Sequence, residues 1–176
     1  MIIKNFFGHL GTVVRHRNMV MIHCFKAGII RRGLLHDLSK FSPTEFIQGV
    51  KYYQGMRSPN ERERELFGYS KAWLHHKGRN RHHFEYWTDY SMKTGQLVAI
   101  PMPDVYIYEM FCDRVAASKI YKKKDYNDHC PLEYFLSGHG TRFIEEHTAE
   151  RLEFLLRLLD EKGEKETFRY IRKQKK

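Results

Sequence analysis

Residues 33–45 read GLLHDLSKFSPTE, and the rest of the chain is best understood outward from them. An apolar run ends in the adjacent pair His36-Asp37, Lys40 follows three residues later, and Ser42-Pro43-Thr44-Glu45 opens a new helix. Neighbouring side chains on a regular helix point about 100° apart and do not share a target. If the helix ends at the pair, an imidazole nitrogen and a carboxylate oxygen can converge on one small object. A divalent cation suits that donor set, with Zn, Fe, Mn, Ni and Co as candidates.

Upstream, the apolar spacing over residues 3–28 predicts a long helix closed by Gly28. His9, His16 and His23 are seven residues apart, so they share nearly one face, and Val13, Met19 and Val20 flank it. That face is core-directed. A short second helix is expected over residues 29–38, carrying His36-Asp37. Downstream, Ser42-Pro43-Thr44-Glu45 and Ser58-Pro59-Asn60-Glu61 each place serine at the N-cap, proline at the first helical position and glutamate at the third. Both are capping boxes. The first helix should run to about Tyr53, the second through Trp73 to Lys77-Gly78.

Residues 78–103 form a long connection with a β-prone piece at 97–100, able to fold over a site. Pro103 begins a helix to about Tyr121. Its inner face, Tyr106, Met110, Asp113, Ala117 and Ile120, is apolar except for Asp113. A carboxylate there is expensive to bury unless an arginine or a metal accompanies it. A short helix at 131–136 and a long one at 148–161 follow, with Gly163 as the stop. The expected architecture is all-α, one domain over residues 1–176 with a basic tail from about residue 164.

A chain of 176 residues can bury a real core as one domain. No run approaches the roughly 18 apolar residues of a membrane span, and MIIKNFFGHLGTVVRHRN lacks the continuous apolar core of a signal peptide. Cys24, Cys112 and Cys130 are odd in number and scattered, the pattern of free thiols in a reducing compartment. A cytoplasmic protein without a membrane partner is expected. The net charge of +10 favours an anionic partner: nucleotide, phosphate ester or nucleic acid. The basic runs at 122–124 and 169–176 read as solvated surface outside the core rather than a nucleic-acid patch.

These residues resemble the HD superfamily, metal-dependent phosphohydrolases and relatives built as a helical bundle. The ordered set is His16, the pair in GLLHDLSK, paired histidines, and an aspartate in FCDRVAA. The resemblance implies His16 as first ligand, His36 and Asp37 as the namesake pair, Asp113 as the last ligand, and Lys40 as the lysine often found after the pair. A closer likeness is to a small uncharacterised family of HD-like bacterial and phage proteins, carried by HDLSKFSPTEF (36–46) and HHKGRNRHHFEYW (75–87). Two-metal HD proteins use two further histidines before the final aspartate. One each from His75-His76 and His82-His83 could serve, and His76 and His82 are assigned. The cofactor implied is one or two divalent transition metal ions. His9 and His23 match no ligand and fall to packing or to orienting the others.

The same resemblance implies a phosphorylated small-molecule substrate, first of all a nucleotide, hydrolysed by water that the metal acidifies. Asp37 and Lys40 would be the catalytic residues, with Lys40, Arg17, Arg79 and Arg81 as cations for the phosphoryl oxygens. Two other functions use the same residues differently. One is an HD-type di-iron oxygenase. The other is a nucleic-acid-binding protein with a histidine-rich core, recognisable by steep salt dependence. A monomer or homodimer is expected, with Tyr52, Tyr53 and Trp87 as candidate contact aromatics.

Overall fold

The computed structural model describes residues 2–174. Helix α1 (Ile2–Lys26) turns sharply into α2 (Ile30–Leu35), and a 3-10 turn (Leu38–Phe41) leads into α3 (Pro43–Lys51). Then come α4 (Pro59–Phe67) and α5 (Lys71–Lys77), a hairpin of β1 (Thr88–Tyr90) and β2 (Leu97–Ala99), α6 (Asp104–Lys122), α7 (Cys130–Ser137) and α8 (Glu146–Gln174). The fold is mainly α. The hairpin is antiparallel, with Asp89 opposite Val98, and includes the β-prone piece at 97–99. No helix among the described residues is long and apolar enough to cross a membrane.

Helix α6 is the axis of the molecule. Residues 106–112 are buried in an unbroken run, together with Val115 and Ala116, so the helix is enclosed on nearly every side. Against it pack Val20 and Cys24 of α1, Leu132 and Phe135 of α7, and Leu152, Leu155, Leu156 and Leu159 of α8. Cys24, Cys112 and Cys130 are free and buried. Helix α2 lies close on α1 because residue 33 is glycine. A Cβ there would stand 2.7 Å from Cys24 Cβ and 3.1 Å from the Met21 backbone. That close approach fixes where the chain emerges at His36.

Several sequence expectations change in detail. Helix α2 stops at Leu35, so His36 and Asp37 lie beyond it rather than inside it. The helix expected over 59–77 is two, because Gly68 adopts a left-handed conformation and Ser70 caps a fresh start by accepting from Trp73 N–H at 3.0 Å. Helix starts at Pro43 and Pro59 agree with the sequence; Ser58 accepts from Asn60 N–H at 3.3 Å, but the first box does not form even that bond. Ser42 makes no capping bond, and Glu45 turns inward instead. Gly163 (φ 74) kinks α8 without ending it, and Thr167, Phe168 and Ile171 are buried beyond the kink. Residues 169–174 are therefore helix, not a tail outside the core, and Arg172 donates to the Phe25 carbonyl at 3.0 Å. Lys175 and Lys176 lie outside the described residues. Tyr52 is buried, and Tyr53 and Trp87 are half-buried, so none is a free contact aromatic; the exposed apolar side chains include Phe7, Phe25, Leu34 and Leu35.

Candidate metal centre

The convergence of adjacent side chains has a backbone cause. After α2, His36 is extended (φ −56, ψ 129) and Asp37 is left-handed (φ 54, ψ 26). Aspartate tolerates that conformation better than most residues. The two successive departures from helix swing both side chains into the space between α1, α5 and α6. His36 and Asp37 are fully buried there.

Asp37 is the hub. Its Oδ2 lies 3.9 Å from His16 Nε2, 3.5 Å from His36 Nε2 and 3.3 Å from Lys40 Nζ. Its Oδ1 lies 3.3 Å from His76 Nε2 and 3.4 Å from His82 Nε2. Asp113 Oδ1 closes the first side, 2.8 Å from His16 Nε2 and 3.5 Å from His36 Nε2. Two groups of potential ligands therefore share one carboxylate: His16, His36, Asp37 and Asp113 on one side, and Asp37, His76, His82 and His83 on the other. His83 joins through a 2.9 Å contact between its Nε2 and that of His76.

The far nitrogens of His36, His82 and His76 are already engaged. Glu109 Oε1 lies 3.0 Å from His36 Nδ1 and 3.2 Å from His82 Nδ1. Glu45 Oε2 lies 2.8 Å from His76 Nδ1, and its other oxygen 2.7 Å from His75 Nδ1. A carboxylate accepting the Nδ1 proton fixes the tautomer and turns the Nε2 lone pair toward the opposite side, as behind metal-ligating histidines. Three of the inward atoms, His36 Nε2, Asp37 Oδ1 and His82 Nε2, are buried without a hydrogen-bond partner. Orphaned buried polar atoms are rare in folded proteins. Three facing one another fit a cation, and an imidazole and carboxylate set without thiolate fits Mn, Fe, Co, Ni or Zn.

The carboxylates of the centre are charged, and the proton they retain on His36 is one that a metal ion would displace. Burial alone would raise the Asp37 and Asp113 carboxyls, but His36 and Lys40 around Asp37, and His16 and His36 around Asp113, hold both well below the usual range. Burial would lower His36, yet the carboxylates around it push it well above its ordinary value. Lys40 stays charged because Asp37 and Asp113 outweigh its desolvation. The centre opens into a cleft of about 690 Å³ whose walls include His16, Asp37, Lys40, His76, His83 and Asp113.

The structure thus brings His16, His36, Asp37, Lys40, His76, His82 and Asp113 together. It does not bring the three arginines. Arg17 donates to the Leu34 carbonyl at 2.7 Å, securing the end of α2. Arg79 is exposed and bonds the His75 carbonyl, and Arg81 is exposed and bonds Tyr106 Oη at 3.2 Å. Each follows its own stretch of backbone away from the cleft. Glu109 and Glu45 are new to the centre, and His83 joins its pair-mate His82 there. Glu109 stands one helical turn before Asp113, a spacing that could have revealed it. Glu45 was hidden by its resemblance to a capping-box residue.

Fold and site together define a mainly helical protein built around a histidine–carboxylate cluster that could hold metal. The chain belongs to the family described as "Family of unknown function (DUF5662)", whose model matches residues 5–158 and so spans every residue of the cluster. Comparisons with curated proteins and with solved structures give no match.

Proposed function

We propose that this protein is an HD-type metal-dependent phosphohydrolase acting on a phosphorylated small molecule, with a nucleotide as the first candidate. The supporting observation is the set of orphaned inward atoms, His36 Nε2, Asp37 Oδ1 and His82 Nε2, behind which Glu109 holds the Nδ1 protons of both histidines. His16, His36, Asp37 and Asp113 would hold one ion, and His76 and His82 a second, with Asp37 common to both. A bound divalent cation supplies Lewis acidity toward a phosphoryl oxygen and acidifies water to near-neutral pKa.

The chain's own residues supply the rest. Lys40, 3.3 Å from Asp37, keeps a positive charge at the mouth of the centre, where it can meet a phosphoryl oxygen. Glu109 and Glu45 keep the imidazoles oriented, so the geometry is set before any ligand arrives. The volume of the cleft suits a ligand of nucleotide size.

The test is phosphate release from nucleoside mono-, di- and triphosphates by protein loaded in turn with Mn, Co, Ni, Fe or Zn. Metal-dependent release that vanishes in Asp37→Ala is expected. The carboxylate shared by two ligand groups also suits a di-iron oxygenase. Two irons per chain with a mixed-valence EPR signal, and no phosphate release with any metal, would favour that chemistry instead.

A further inference from the structure

Beside the acidic, imidazole-rich floor of the cleft lies a basic wall. Arg114 leaves α6 one residue after Asp113, so its side chain departs about 100° around the helix and reaches toward α7. Its guanidinium carbon sits 5.7 Å from the Phe135 ring centroid, and that of Arg142 sits 5.3 Å from the same centroid. Both arginines line the cleft that holds the centre. Arg142 is held in place, donating to the Phe135 carbonyl and, at 2.9 Å, to the Tyr134 carbonyl. Gly138 leaves room for it, since a Cβ there would come within 2.3 Å of the Arg142 guanidinium carbon.

Arg114 has no such anchor at its Nε, which is buried without a partner. Asp113, the preceding residue, is taken by His16 at 2.8 Å. Lys123, also on the cleft wall, adds a third cation from a left-handed backbone position (φ 55) that lysine seldom adopts. Two guanidinium groups over one ring, one of them with a buried Nε that has no partner, favour the arrival of an anion. Phosphate matches them best, because the planar fork meets two oxygens at once.

We infer that Arg114 and Arg142 form an anion subsite that takes a phosphate group of the ligand other than the one at the metal centre. The preferred class then carries at least two phosphoryl groups, as in a nucleoside di- or triphosphate. The subsite stands on the arginines alone, and only its service to a substrate rests on the phosphohydrolase reading.

The experiment is calorimetric titration of inorganic pyrophosphate into the full chain stripped of metal by chelation, at low salt. Saturable binding is expected, weakened about tenfold or more in Arg114→Gln. Gly138→Ala should weaken it in the same direction by displacing the Arg142 guanidinium, with the far-UV spectrum unchanged. No binding to the unmodified chain, or affinities of both variants within about twofold of it, would overturn the subsite. So would a short oligonucleotide binding the same arginines more tightly than a nucleoside diphosphate does. Pyrophosphate binding that depends on Arg114 while no nucleotide is hydrolysed would uphold the subsite and remove the hydrolase reading.

Discussion

His16 and His23 leave the same face of α1 two turns apart and meet opposite surroundings. His23 is buried with both nitrogens engaged: Nδ1–H donates to the Cys112 carbonyl at 3.2 Å, and Lys119 Nζ approaches Nε2 at 3.4 Å. Its ring packs 5.4 Å from that of Phe168, and burial pushes its pKa down to about 4. Around His16 the carboxylates of Asp37 and Asp113 converge, and the neighbouring His36 and His82 have inward nitrogens without a hydrogen-bond partner. Burial of a histidine is therefore no sign of a site. What separates the two regions is that beside His16 the histidines His36 and His82 have an inward nitrogen without a partner and a carboxylate behind the outward one, and His23 has neither.

That contrast can be broken in several places. The largest effect belongs to Asp37→Ala, which removes the carboxylate common to both ligand groups. Metal uptake should fall to background by elemental analysis, while circular dichroism still reports helix. Next is truncation after Gly163, which strips Phe168 from the His23 side together with Ile171. The loss should reach at least about 5 kcal/mol in denaturant unfolding. A free tail would leave stability unchanged.

A third effect is confined to His23. The folded chain holds it neutral, with a pKa of about 4 against 6.5 when unfolded. As pH falls through 6.5 the unfolded chain takes up a proton that the folded one refuses, so stability is lost between about pH 6.5 and 4. The loss amounts to about 3 kcal/mol at the acid end. In His23→Gln that part of the pH slope should disappear, as read from urea midpoints across the window. The smallest effect is Glu109→Gln, which loosens the orientation of His36 and His82 without removing a ligand. Metal affinity should fall about 10- to 100-fold in competition titrations with a chelator. An unchanged affinity would make Glu109 a packing residue only.

Much of this was legible from local chemistry. The periodic apolar face of α1, the Ser-Pro starts at Pro43 and Pro59, and Pro103 before α6 each stated a helix in the sequence. The inward Asp113 declared itself as a lone carboxylate on an apolar face. What stayed hidden depends on contacts distant in sequence. Glu45 fits a capping box, and only the arrival of His75 and His76 from α5 gives it other work. Phe168 and Ile171 sit among charged residues that mask a buried face, and Gly163 looks like a stop when tertiary packing carries the helix past it. Arg17, Arg79 and Arg81 are near the histidines in sequence but not in space. Arg114 of α6 and Arg142 of the loop between α7 and α8 meet across Phe135.

The most direct test is elemental analysis of the chain purified without added metal, set beside Asp37→Ala prepared in the same way. One or two divalent transition metal ions per chain in the first, and none in the second, is the predicted result. A chain that takes up no such ion even after incubation with Mn, Fe, Co, Ni or Zn, or an Asp37→Ala variant that retains its full complement, would contradict it.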